Sequence, residues 1–152
     1  MKRYLPWIPP IFVTFVFVQS LFFKFSGSEE TVIIFNTIAD WMAGLPVLGA
    51  IAEPFRAYGA NTVGFTELVA AVLILVPRTR IFGALLGFGV ISGAIFFHLF
   101  TPLGVDRVVD AAGNTDGGAL FARACGVWIA CLISIVIEVR GRSAAAAEAS
   151  IA

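Results

Sequence analysis

Residues Thr62–Val76 read TVGFTELVAAVLILV, a run that is apolar except for its hydroxyls and one carboxylate, Glu67. A carboxylate at the centre of a bilayer-length helix costs about 2.5–3.5 kcal/mol on insertion scales, so it requires a partner or a proton. Gly64, Ala70 and Ala71 fall on the same helix face, three or four residues away. Small side chains let another backbone come close, so Glu67 is expected to point into a helix bundle and away from lipid. The rest of the chain is then read for the groups that accompany it.

Of the 152 residues, 59% are hydrophobic and 13% charged, and the mean hydropathy is +0.95. A soluble fold needs more polar surface than this. The expected class is therefore all-α: an integral membrane four-helix bundle, one domain over residues 1–142, with a short flexible tail at 143–152. A formal net charge of zero leaves no electrostatic footprint for nucleic acid. Cys125 and Cys131 stand six residues apart on different helix faces, without a C-x-x-C, and are read as small packing residues. One histidine and no Cys/His cluster leave no metal-ligand spacing.

Four spans are expected, at about 6–25, 61–76, 81–100 and 119–139. Pro9 and Pro10 fit the opening turn of the first, and no A-x-A-like cleavage site follows it. Between the first and second spans, Glu29–Ala43 alternates apolar residues with Asn36 and Asp40, the pattern of an amphipathic helix lying in the interface with Trp41 at headgroup level. Gly44, Pro46 and Gly49 break it. Pro77 ends the second span and Arg78-Thr79-Arg80 turns the chain. Gly83/Gly87 and Gly89/Gly93 in the third span favour close helix contacts. Asp116-Gly117-Gly118 is read as the cap of the fourth. Lys2, Arg3, Arg78, Arg80, Arg140 and Arg142 then share one side, which the positive-inside rule makes cytoplasmic, with both termini.

Alternating direction brings Lys24, Glu67, His98 and Arg123 to the other end, each within roughly 10 Å of that interface at 1.5 Å rise per residue. Four helices thus each give one ionisable side chain to one layer. Each has a plainer reading. Lys24 and Arg123 snorkel to headgroups from helix ends, and His98 is an interfacial ring. Glu67 sits in a static ion pair with one of the two cations. The acidic residues Asp106, Asp110 and Asp116 show no EF-hand spacing.

The chain resembles the DoxX-like family of small four-helix bacterial membrane proteins over roughly residues 15–140. The resemblance rests on LFFKFSG at Leu21–Gly27, on GFTELVAAVLIL around Glu67, on GAIFFHL at Gly93–Leu99 and on DGGALFARA at Asp116–Ala124. It implies a multi-pass protein of the bacterial cytoplasmic membrane and an accessory subunit of a quinone-linked redox system, with a protein partner. The family's lysine, glutamate, histidine and arginine positions carry over as Lys24, Glu67, His98 and Arg123. No haem, nucleotide or metal ligand set comes with them, so stand-alone catalysis is not implied.

Within that reading, Glu67 and His98 are the candidate proton-exchanging residues. Lys24 and Arg123 would bind a quinone or a similar headgroup by donating hydrogen bonds to its carbonyls, and Phe65 and Phe97, with Phe22, Phe23, Phe96 and Phe121, would wall its ring. The alternatives left open are a non-catalytic anchor or assembly subunit, whose polar layer only locks the bundle, and a small transporter. A homo-oligomer is compatible with each. No nucleophile–base spacing supports a hydrolase.

Overall fold

The computed structural model describes residues 4–149 and, among them, is helical, with one isolated β-bridge, Val108 to Thr115, and no strands. A single 3-10 turn, Leu5–Trp7, leads into α1 (Ile8–Ser26), followed by α2 (Glu29–Ala43), α3 (Gly49–Leu75), α4 (Arg80–Phe100) and α5 (Ala119–Ala149). All but α2 are long and apolar enough to cross a membrane, as in a multi-pass membrane protein. Lys2 and Arg3, used above to orient the chain, lie outside the described residues.

Local chemistry sets the helix ends. Pro9 and Pro10 occupy the first turn of α1, where their missing N–H groups cost nothing. Gly27 closes α1 at φ +62°, with its N–H donating to the Phe23 carbonyl. A glycine takes that left-handed geometry without a Cβ penalty. Ser28 opens α2 by accepting from the Thr31 N–H at 3.3 Å, and Glu29 and Glu30 sit at the positive end of the helix dipole. Asp116 opens α5, accepting from the N–H groups of Gly118 and Leu120.

Two boundaries differ from the sequence reading: α5 continues as helix to Ala149, past the expected end at 139 and through the described part of the stretch read as a flexible tail, and the other lies at the start of α3. The second long helix starts at Gly49, well before the expected start near residue 61, and carries Pro54 inside it. The proline removes one backbone hydrogen bond. Packing offsets that loss. Ala52 is buried, and Gly59 lies so close to Phe35 of α2 that an added Cβ would stand 2.8 Å from the ring.

The four long helices form a closed ring in which α1 packs on α3, α3 on α4, α4 on α5 and α5 on α1, while α2 packs mainly on α3. Val13, Phe17, Ala71, Ile74, Ala84, Val127 and Cys131 fill the middle. At one end, Arg80 of α4 ties the others together. Its Nε donates to the Ile74 carbonyl at 3.1 Å, its Nη1 to Glu138 of α5 at 3.2 Å, and its guanidinium sits 4.0 Å over the Trp7 ring. The start of α1, the end of α3, the start of α4 and the later part of α5 therefore meet at one end, an up–down–up–down arrangement. Here α3 and α4 touch backbone to backbone: a Cβ added at Gly83 would lie 2.3 Å from the Ile74 nitrogen.

The opposite end is covered by α2 and the α4–α5 loop. Ile38, Met42, Ala52 and Leu103 form a second core there, flanked by Trp41, Phe55 and Phe97. The loop is pinned to α2 by Arg107, which pairs with Glu30, and by Glu29, which accepts from the Ala111 N–H at 2.7 Å.

Candidate functional site

Beneath that cover lies a cavity of about 500 Å³, and Lys24, Glu67, His98 and Arg123 all line it. The four long helices deliver one of these side chains each. Most of the remaining wall is apolar, with Phe17, Phe23 and Phe97 among its residues. An apolar wall with a few convergent polar groups is the ordinary composition of a small-molecule site.

Glu67 is 5% exposed and accepts from Lys24 Nζ at 2.8 Å and from Ser20 Oγ at 2.6 Å. Both bonds fall on Oε2. The ammonium and the hydroxyl lie one helical turn apart on α1, so a single face of α1 supplies both partners of Oε2. Gly64 keeps this approach open, since a Cβ there would stand 2.9 Å from the Phe25 ring and 3.4 Å from Lys24. A buried acid facing an ammonium and a hydroxyl carries its compensation with it.

His98 is 4% exposed, and its Nδ1 lies 2.6 Å from the Gly104 carbonyl oxygen. A carbonyl only accepts, so Nδ1 carries the hydrogen. That leaves Nε2 as a lone-pair acceptor in the neutral ring, able to take a proton from a hydroxyl presented in the cavity. The turn that offers this carbonyl has Gly104 at φ +72°. Phe121 packs edge-on against the imidazole with centroids 5.7 Å apart.

Arg123 is exposed and has no ion pair among the described residues, in contrast to Lys24. Its five N–H donors are free to meet an acceptor in the cavity. Just outside the cavity lining, Arg107 is 2% exposed, pairs with Glu30 and Asp116, and retains Nη1 without a hydrogen-bond partner. Burial lowers the Arg107 pKa, Asp116 partly offsets this, and the nearby Arg123 charge lowers it further. The Arg107 charge is met by Glu30 and Asp116, so Arg123 is the guanidinium left to offer its donors to the cavity.

Among the aromatic residues expected to wall the site, Phe97 does so, locked by tilted and edge contacts to Phe55 at 6.0 Å and Trp41 at 6.4 Å. Phe65 does not: it is 63% exposed on the outside of α3 and is absent from the cavity wall. Phe22 and Phe96 also face outward, at 74% and 45% exposure. The reason is angular, because Phe65 and Glu67 are two residues apart and a helix turns them to different sides. Glu30 and Thr31 of α2 join the wall from an element whose contribution the helix pattern alone did not reveal. Comparison with protein-family models, with curated proteins and with solved structures finds no match to this chain.

Proposed function

We propose that this chain is a DoxX-like accessory subunit of a membrane redox system, in a bacterial cytoplasmic membrane, and that its cavity holds a quinone headgroup. The supporting observation is the meeting of Lys24, Glu67, His98 and Arg123 in one cavity whose remaining wall is mostly apolar. A quinone supplies two carbonyl oxygens that accept hydrogen bonds and, when reduced, two hydroxyls that release protons. The residues fit such a group. Arg123 is the unpaired donor for a carbonyl oxygen, and Lys24 is a second donor if it shares its ammonium with Glu67. His98 Nε2 takes or returns one proton while Nδ1 stays fixed on Gly104, and Glu67 exchanges another as its Lys24 contact adjusts. Electrons pass between the quinone and the protein partner: to the partner as a quinol gives up its two protons, and from the partner as a quinone takes two up.

In this reading both termini face the cytoplasm, and Arg78, Arg80, Arg140 and Arg142 follow the positive-inside rule. The cavity then lies near the outer interface. There α2 rests along the headgroups, its exposed Asp40 forming a polar edge with Glu53 and Arg56 from the first turns of α3.

Glu67→Gln and His98→Ala, compared with the native chain in membranes containing the partner, test this reading. Quinone turnover per folded, partner-bound molecule is expected to fall roughly a hundredfold, the usual scale for a lost acid–base group, beyond any loss of folded protein. Unchanged turnover overturns the proposal. A second reading draws on the closed Lys24–Glu67 pair, which resembles a lock: a non-catalytic anchor or assembly subunit. It is favoured if the same variants lose their fold and their partner while no quinone co-purifies with the native chain.

A further inference from the structure

The cavity does not end inside the ring. On α3 it runs along Thr62, Val63 and Thr66, and on α4 along Gly89, Val90 and Gly93. Thr62 and Gly89 are exposed, so this part of the wall reaches the flank of the bundle. Along the same pair of helices the contact changes character. At Gly83 no Cβ fits, because the α3 backbone is in the way; at Gly89 and Gly93 a Cβ would meet nothing within 4 Å. Gly89 and Gly93 lie roughly 80–120° round α4 from Gly83, on the outward side of the helix, and with Thr62 and Thr66 of α3 they line the cavity while bringing no side chain of their own into the groove, which leaves a gap between α3 and α4 on the flank of the ring. Above the gap, Phe55 of α3 and Phe97 of α4 close again through ring contact, under α2.

We infer that the gap between α3 and α4 is a lateral window, and that the cavity's ligand is lipid-soluble, with a polar head among the ionisable side chains and an extended apolar chain leaving through the window into the bilayer. This rests on the reading that the cavity holds a ligand's polar head, and adds to it the long apolar tail and the route by which that tail leaves. Glycines alone would not carry it, since paired small residues also serve helix contacts. The second observation is what lies behind them: a continuous cavity ending at buried Glu67 and at His98, whose one committed ring nitrogen leaves the other for a ligand. A water-soluble ligand has no use for an opening on the apolar flank. A long-tailed one gains the burial of its head without removing its tail from lipid, so little desolvation is asked of the chain. Two sources share this chemistry, a tailed quinone and a membrane phospholipid.

The test uses the full chain in phosphatidylcholine nanodiscs, native and with Gly89→Leu and Gly93→Leu together. A Cβ at either position meets nothing within 4 Å, and leucine is a better helix former than glycine. The probes are a benzoquinone with a diazirine on a decyl tail, the same ring without a tail, and a phosphatidylcholine with a diazirine on one acyl chain. Light is expected to place tail adducts at Thr62, Thr66 or Val90 of the native chain and none there in the double variant. Affinity for the tailed quinone is expected to drop roughly tenfold or more, with the tailless ring bound as before. If neither quinone binds but the phospholipid chain labels these residues and loses them in the double variant, the window stands and the quinone reading fails. If neither tail labels the α3–α4 gap, the window is overturned. It is equally overturned if the native chain is dimeric through these glycines, and the double variant monomeric, without tail adducts in the gap.

Discussion

Lys24 Nζ stands 2.8 Å from Glu67 Oε2, joining α1 to α3 across a sequence separation of forty-three residues, with side-chain exposures of 17% and 6%. Removing one member of such a pair strands the other charge in an apolar surround. Glu67→Gln or Lys24→Met alone is expected to lower stability by about 3–5 kcal/mol, and the double variant by much less, because no uncompensated charge remains. Thermal unfolding of the four proteins in one detergent, arranged as a double-mutant cycle, measures this; additive losses would rule it out.

At the other end, Arg80 meets a carbonyl, a carboxylate and an indole face at once. Lysine keeps the charge but lacks the planar fork that makes these contacts together. Arg80→Lys is expected to cost about 2 kcal/mol, with a change in Trp7 fluorescence, and detergent melts compare it with the native chain. A melting temperature equal to the native one would show that charge alone suffices there.

Two glycines of α4 predict opposite outcomes for one substitution. Gly83→Ala puts a methyl group 2.3 Å from the Ile74 nitrogen and must push α3 and α4 apart. A loss of about 1–3 kcal/mol is expected from overpacking. Gly89→Ala meets open space, and removing a flexible residue from a helix interior is expected to add roughly 0.5–1 kcal/mol. The melting temperatures should move in opposite directions.

The α4–α5 loop is expected to loosen in acid. Asp110 is held below the ordinary aspartate value by the Asn114 side chain, and then by backbone N–H groups. For Asp116, burial acts upward, but the N–H groups of Leu120 and Gly118 and the Arg107 charge bring it net below. A carboxylate with a depressed folded-state pKa stabilises above its unfolded value and loses that contribution as pH falls through the lower, folded value. Amide protection at Ala112, Asn114, Gly118 and Leu120 should therefore hold at neutral pH and fall once the medium drops below the free-aspartate value of 3.8. Hydrogen exchange corrected for intrinsic rate reads this. Asp116→Asn should bring the same loosening of Gly118 and Leu120 at neutral pH.

The sequence carries those features that depend on period and on sign of charge. Span count, up–down order and the meeting of Lys24, Glu67, His98 and Arg123 follow from apolar length and alternating direction, and the structure places these four side chains on one cavity. Features that depend on angle and on tertiary packing are less legible. Phe65 sits beside Glu67 in the chain, yet points away, because proximity in sequence is not proximity on a helix face. The early start of α3 could not be read past Pro54, since local propensity disfavours helix there and only contact with α2 outweighs it. Arg107 gave one faint signal, a lone cation in an acidic loop, and its burial between Glu30 and Asp116 needs the fold to be seen.

The contact at Gly83 and the Phe55–Phe97 rings hold α3 and α4 together at both ends of the gap. At about 1.5 Å per residue, the stretch of α4 between them is about 21 Å long. A guest would therefore enter a slit with two fixed ends, whose width depends on how far either helix can bow and not on a swing of one against the other.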